Sequence, residues 1–221
     1  MGRWEGSLVQ ISLYKNWGGS AGLARQCAER AATLGLSHVL HPVGYSLLLP
    51  GDVETIRSVL EFSGEALLLH DERAPDGGRL EGRRLSQYIE ALRSLRSEVR
   101  VSLENSEHSG DAQWFWREMG GSVTLDMGHM ESFGLDSVEF VRGLPPDIVG
   151  RVEYVHMHHN NGPHGGITDH WPLEAGCREL LALRELLRLK HDVGVILELN
   201  ERDEIGRNIE LLKSLERETP G

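Results

Sequence analysis

The stretch that decides the fold is Val152–Gly176, VEYVHMHHNNGPHGGITDHWPLEAG. Its first part, Glu153 to Met157, has the character of a short strand and leads into His156, His158 and His159. Successive strand residues face opposite sides, so His156 and His158 share one face while Met157 and His159 share the other. One strand end therefore presents two imidazoles on the same side, and a Gly/Asn/Pro-rich loop leads on to Asp169 and His170. Neutral imidazole is a common ligand of divalent transition metals, and a loop that returns a further His with a carboxylate can complete a coordination shell. A solvated, His-rich surface loop has the same composition. The rest of the chain decides between them.

Working outward, the chain alternates apolar strands with helices. Ser7 to Tyr14 reads as a strand, and Gly18, Gly19 and Gly22 lead into a helix to about Leu34, stopped by Gly35. Ser37 to His41 is a strand halted at Pro42. Asp52 is placed as the N-cap of a helix through Leu60, and Ala66 to Leu69 forms a strand that ends on His70. Leu85 to Leu95 has helical spacing, and the strand Val99 to Leu103 ends on Glu104. Asp111 to Met119 reads as a helix whose Trp114, Phe115 and Trp116 serve packing rather than base stacking. Val123 to Leu125 delivers Asp126, with His129 three residues on, and a helix runs from Leu135 to Arg142. Beyond the histidine strand, Pro172 opens a helix to about Leu189, Val193 to Leu197 ends on Glu198, and Asp203 to Glu216 forms a terminal amphipathic helix.

Strands this continuously apolar, separated by helices, imply a parallel sheet buried on both faces. The fold expected is α/β: a compact (β/α) TIM-type barrel forming a single domain over residues 1–221, with about seven strands counted against the usual eight, an eighth being either overlooked or absent. A doubly wound open sheet is the structural alternative. Its Gly-rich phosphate loop is not matched by the GGSAG that follows Trp17.

The 221 residues carry a formal net charge of -11, with 34 acidic against 23 basic side chains, which disfavours nucleic acid as a partner. Lys15, Arg73, Arg79, Arg83 and Arg84 are read as a solvated face. Cys27 and Cys177 lack CxxC spacing and are expected as free buried thiols. Neither a signal peptide nor an apolar run of the ~18 residues that a membrane span needs is evident, so a soluble cytoplasmic protein is expected.

In a (β/α) barrel the C-terminal strand ends converge on one mouth, where catalysis resides. The exits here read His41, His70, Glu104, Asp126 with His129, His156 and Glu198, and the loop adds Asp169 and His170. Each has a bland explanation alone, as a hydrogen-bonded histidine or a solvated carboxylate. Crowded together, carboxylates repel one another unless cations neutralise them, and mixed His/Asp/Glu ligation suits Zn²⁺, Mn²⁺, Fe²⁺ or Co²⁺.

The ordered runs SLENS, TLDMGH, VHMHHNNG, DHWPLEAG and VILEL resemble the xylose isomerase-like TIM-barrel superfamily, which includes sugar isomerases, epimerases and endonuclease IV. The resemblance implies a core divalent metal (Zn, Mn, Fe, Co or Mg) held by Glu104, Asp126, His156 and Glu198, with His129 and His170 beside it as substrate contacts or as ligands of a further metal. It also places His41 and His70 where endonuclease-like members hold another zinc, bridged by Glu104. The opening LVQISLYKNW resembles the second strand of that endonuclease. The family's Asp-x-His would put an aspartate at Thr168, whereas here Asp169 adjoins His170. Glu174 stands in place of a usual glycine and His159 in place of a frequent aspartate.

Three activities follow as expectations. As an isomerase or epimerase, the chain would act on a sugar or sugar phosphate through an enediolate, with Glu104 and Glu198 moving the proton and His129 steadying a substrate oxygen. As an endonuclease IV-like phosphodiesterase, it would use a multinuclear zinc cluster that includes His41 and His70. The third is a non-catalytic metal-binding barrel. His158 and Asp169 are further candidates for metal or substrate binding, and an incomplete barrel exposes a strand edge that a second subunit can cover.

Overall fold

The computed structural model describes residues 8–107, 109–160, 169–200 and 202–218. Among them run β1 (Leu8–Tyr14), α1 (Ser20–Thr33), β2 (Ser37–Val43), α2 (Pro50–Arg57), β3 (Leu67–His70), α3 (Gly82–Arg96) and β4 (Val101–Glu104). There follow α4 (Ala112–Met119), β5 (Ser122–Asp126), α5 (Met127–Ser132), α6 (Ser137–Arg142), α7 (Pro146–Val149), β6 (Val152–Met157), α8 (Arg178–Leu189), β7 (Gly194–Leu197) and α9 (Ile205–Glu218). The strands follow chain order from β1 to β7 with helices in the connections, as in a (β/α) TIM-type barrel with seven strands. None of the described helices is long and apolar enough to cross a membrane. The chain divides into two compact units, residues 1–103 and 104–221.

In the first unit β1 and β2 pair in parallel from Leu8↔Ser37 to Tyr14↔Val43, and β2 meets β3 at Leu40↔Leu67. Leu67, Leu68 and Leu69 are all buried, the signature of a strand covered on both faces. Helix α1 buries Ala24, Ala28 and Ala31, one stripe at helical spacing whose small side chains permit close approach to the sheet. Gly64 has φ +66, and a Cβ there would collide with the His38 carbonyl, so this turn excludes other residues. Two local expectations are corrected. Strand β2 runs through Pro42 to Val43, the missing N–H falling beyond the described β2–β3 pair. Asp52 lies inside the first turn of α2, where Pro50 opens the helix; its Oδ2 accepts the Ser46 N–H at 2.9 Å and pairs with Lys15 Nζ at 2.7 Å.

In the second unit β5, β6 and β7 are parallel neighbours. Helix α4 buries Ala112, Phe115, Trp116 and Met119, and the Trp116 ring meets Phe140 of α6 edge-on with centroids 6.3 Å apart. Phe115 and Trp116 are therefore core, and Trp114 is half-buried. Helix α8 buries Leu180, Ala182, Leu183 and Leu186 and starts at Arg178, not Pro172. The turn at Glu174–Cys177, closed by a 3.0 Å hydrogen bond, delays it. Two short helices that sequence spacing did not announce, α5 and α7, flank the expected one.

Candidate metal centre

Strands β4, β5 and β6 are buried along nearly their whole length, and each carries a polar residue at its exit. Glu104 ends β4, Asp126 ends β5 and His156 is the penultimate residue of β6; none of the three is exposed to solvent. Glu198 follows β7 directly, held by its N–H to the Met157 carbonyl at 3.1 Å. Burying such groups is costly unless they are paired. Here they meet at one atom: His156 Nδ1 lies 2.9 Å from Glu104 Oε1, 3.5 Å from Glu198 Oε1 and 3.8 Å from Asp126 Oδ2.

A bulge makes this meeting possible. Val123 pairs with Val152 but Thr124 pairs with Tyr154, so β6 spends an extra residue, Glu153, and Asp126 comes level with His156. An unbroken register would set Asp126 beside Val155. The Asn105 amide then secures the β5 exit: its Oδ1 accepts the Asp126 N–H and its Nδ2 donates to the Asp126 carbonyl, each at 2.9 Å. Asp126 also caps α5, Oδ1 accepting the His129 N–H at 2.7 Å.

A second layer of imidazoles covers these carboxylates. His129 Nδ1 is 3.1 Å from Asp126 Oδ2, His158 Nε2 is 3.2 Å from Asp126 Oδ1, and His170 Nε2 is 3.3 Å from Glu198 Oε2. His158 and His170 stack at 4.4 Å, and the His170 N–H donates to His158 Nδ1 at 3.1 Å, which assigns the His158 proton to Nε2, facing Asp126. His170 has φ 60, a rare conformation for a residue with a side chain. Asp169 Oδ1 lies 3.1 Å from its Nδ1. The ligand atoms of His129, His158 and His170 lie within 4.8 Å of one another, as do those of Glu104, Asp126 and His156, and those of Asp126, His158 and Glu198. Thr168 falls outside the described residues.

Charge dominates this centre. Burial disfavours the charged His156 ring, but Glu104, Glu198 and Asp126 outweigh it and push it up to about 10. Burial likewise opposes charge on His170, and Glu198 with Asp169 overrides it, to about 9. Burial alone would raise the Asp126 carboxyl; His129 and His158 hold it down at about 2. The three carboxylates thus favour positive charge at this point. Asp126 Oδ2, buried, makes no hydrogen bond among the described residues while facing two imidazole nitrogens. Three carboxylates and one imidazole form a donor set that fits a divalent metal of the Mg²⁺, Mn²⁺ or Zn²⁺ kind.

In the first unit, His41, inside the last part of β2, and His70, the last residue of β3, set their rings edge to face, centroids 4.6 Å apart. His41 Nδ1 donates to the Leu68 carbonyl at 3.1 Å, which leaves the lone pair on Nε2. Lys15 is paired with Asp52, and Arg79, Arg83 and Arg84 are exposed.

No protein-family model matches the chain, and no curated protein matches it. Among solved structures it is similar to a xylose isomerase-like TIM barrel protein from Mycobacterium smegmatis in complex with magnesium, at 16% identity and a TM-score of 0.60, over 96% of this chain and 85% of that one. The fold is that of a xylose isomerase-like TIM barrel. A fungal β-1,4-galactanase gives a TM-score of 0.47 at 10% identity, over 86% of this chain and 76% of that one.

The centre also depends on residues whose type alone gives no sign of a role. A Cβ at Gly128 would run into the His158 ring, so the glycine of TLDMGH is what lets that ring reach Asp126. Asn105, inside SLENS, carried a signal only by adjoining Glu104. The thiols depart from expectation: both are free, but Cys27 is exposed and Cys177 half-buried at the N-cap of α8, where burial and the neighbouring Glu179 push it up to about 12.

Proposed function

We propose that this chain is a divalent-metal-dependent isomerase or epimerase acting on a sugar or sugar phosphate. The observation that carries the reading is the convergence of Glu104, Asp126 and Glu198 on His156 Nδ1, all within 3.8 Å. These four residues would hold the metal. The likeness in fold to a barrel described in complex with magnesium supports the assignment. When bound, such a cation supplies Lewis acidity to adjacent oxygens of an open-chain sugar and so favours the enediolate.

The chain's own groups would do the rest. Glu104 and Glu198 flank His156 and move the substrate proton. The second oxygen of Glu198 faces His170, which is partly exposed and links that carboxylate to solvent for proton exchange. His129, held by Asp126, steadies a substrate oxygen, and His158 buttresses Asp126 from the other side. The test is hydrogen exchange at the carbon next to the carbonyl: metal-loaded protein in D₂O should label a responsive aldose, ketose or their phosphates, and Glu104→Gln should abolish labelling. A panel of such sugars left unlabelled by metal-loaded protein would overturn the reading.

A phosphodiesterase of the endonuclease IV kind is the second reading, favoured by the His41–His70 pair and by the Leu68 hydrogen bond that orients His41 as a ligand. It predicts a metal content that falls in His41→Ala/His70→Ala, with cleavage of an abasic-site phosphodiester. A metal content unchanged in that variant favours the isomerase.

A further inference from the structure

The opposite face of the β6 exit carries a different set of ligand side chains. His159, Cys177 and Glu179 offer a nitrogen, a sulfur and an oxygen that lie within 4.8 Å of one another. None of them has a part in the proposed reaction. Each is anchored by its own backbone. An antiparallel bridge ties His159 to Trp171, through N–H to carbonyl hydrogen bonds of 2.8 and 3.0 Å. Cys177 is the N-cap of α8, a helix of 12 residues, and its N–H donates to Glu174 at 3.0 Å. Glu179 sits in the first turn of that helix with its side chain 1% exposed, both oxygens meeting His159 Nδ1 at 3.0 and 3.1 Å.

Glu179 meets His159 Nδ1 with both oxygens and also hydrogen-bonds the Cys177 thiol, so the three side chains form one connected cluster around a buried carboxylate. A metal ion uses all three. Zinc takes thiolate sulfur at about 2.3 Å and imidazole nitrogen or carboxylate oxygen at about 2.0–2.2 Å, so its ligand atoms lie roughly 3.3–3.8 Å apart. Ligand atoms already within 4.8 Å reach that spacing by side-chain movement of about an ångström. Both anchors of α8 residues are two positions apart at a helix start, and His159, with its side chain 24% exposed, leaves a route for ion and water.

We propose that His159, Cys177 and Glu179 form a second metal site, for Zn²⁺, with a fourth position open to water, which ties the end of β6 to the start of α8. Binding releases the Cys177 proton to solvent and forms one metal–sulfur bond. Its sulfur donor gives it a different preference from the carboxylate-rich centre: Zn²⁺ and Co²⁺ over Mg²⁺.

Cobalt is the probe, because a thiolate bound to Co²⁺ gives a near-ultraviolet charge-transfer band that oxygen and nitrogen ligands do not. Chelator-treated full-length protein titrated with Co²⁺ should develop that band. Cys177→Ser should abolish it and bind one equivalent less, while Cys27→Ser retains it. Glu198→Gln should also retain it, which separates this site from the proposed reaction centre: failure of the isomerase reading leaves the band untouched. X-ray absorption of zinc-loaded wild-type protein should place a sulfur at about 2.3 Å from zinc, a readout that needs no variant. Absence of the band in folded wild-type protein, its survival in Cys177→Ser, or a zinc shell without sulfur would each overturn the proposal.

Discussion

His158 and His159 leave the same strand one residue apart and meet opposite chemistry. His158, fully buried, faces Asp126 in a centre built from the exits of β4 to β7. His159, a quarter exposed, faces one helix start with one carboxylate and one thiol. Strand alternation alone separates them. The first face concentrates charge, since three carboxylates converge there, whereas the second pairs one carboxylate with a softer sulfur donor. A one-residue slip of β6 would exchange the two sets, which is why its register must be secured.

The sharpest way to break the contrast is Glu198→Gln, which removes one charge from the first face at nearly constant shape. Turnover should fall by about 10²–10⁴ while stability changes little. Urea unfolding measured beside the exchange assay decides: a large loss of stability with no activity to lose would make this a structural metal site.

Gly128→Ala comes next. The new methyl must displace the His158 ring or shift α5, costing about 1–3 kcal/mol and weakening metal binding at the first face only. Calorimetric metal titration checks it. If the cobalt–thiolate band changed as well, the two faces would be coupled rather than independent.

The smallest effect concerns pH. In the folded chain His156 sits at about 10 and His170 at about 9, above an ordinary value of 6.5. A raised histidine lends stability that is fully present below about 6.5 and is lost as pH rises through its folded value. The urea midpoint of chelator-treated protein should therefore decline from about pH 7 to 10, and added metal should flatten the decline. A midpoint that rose over that range would contradict the charge arrangement described here.

Much of this was legible beforehand because it is local. Apolar runs such as Leu67–Leu69 and Val123–Leu125 are strands because both faces are covered, and the polar residue that ends each run marks an exit. Helix starts were less legible. Asp52 has a capping residue's chemistry but lies within α2, since Pro50 had already opened the helix; Pro172 has an opener's chemistry but precedes a turn. In both, neighbours competed for the same backbone role. Cys27 proved exposed although helical spacing places it beside Ala24 and Ala31, at the flank of the buried stripe.

By itself, then, the sequence determined the (β/α) alternation and which residue types stand at the exits, because hydrophobic period and chain breakers act over a few residues. Only the tertiary structure decided which of those residues touch. The β5–β6 bulge that brings Asp126 level with His156, the approach of His158 over Gly128, and the meeting of His159 with Glu179 all join positions distant in sequence. Pairing between distant strands is set by packing across the whole sheet, and a shift of one residue there leaves every local pattern unchanged.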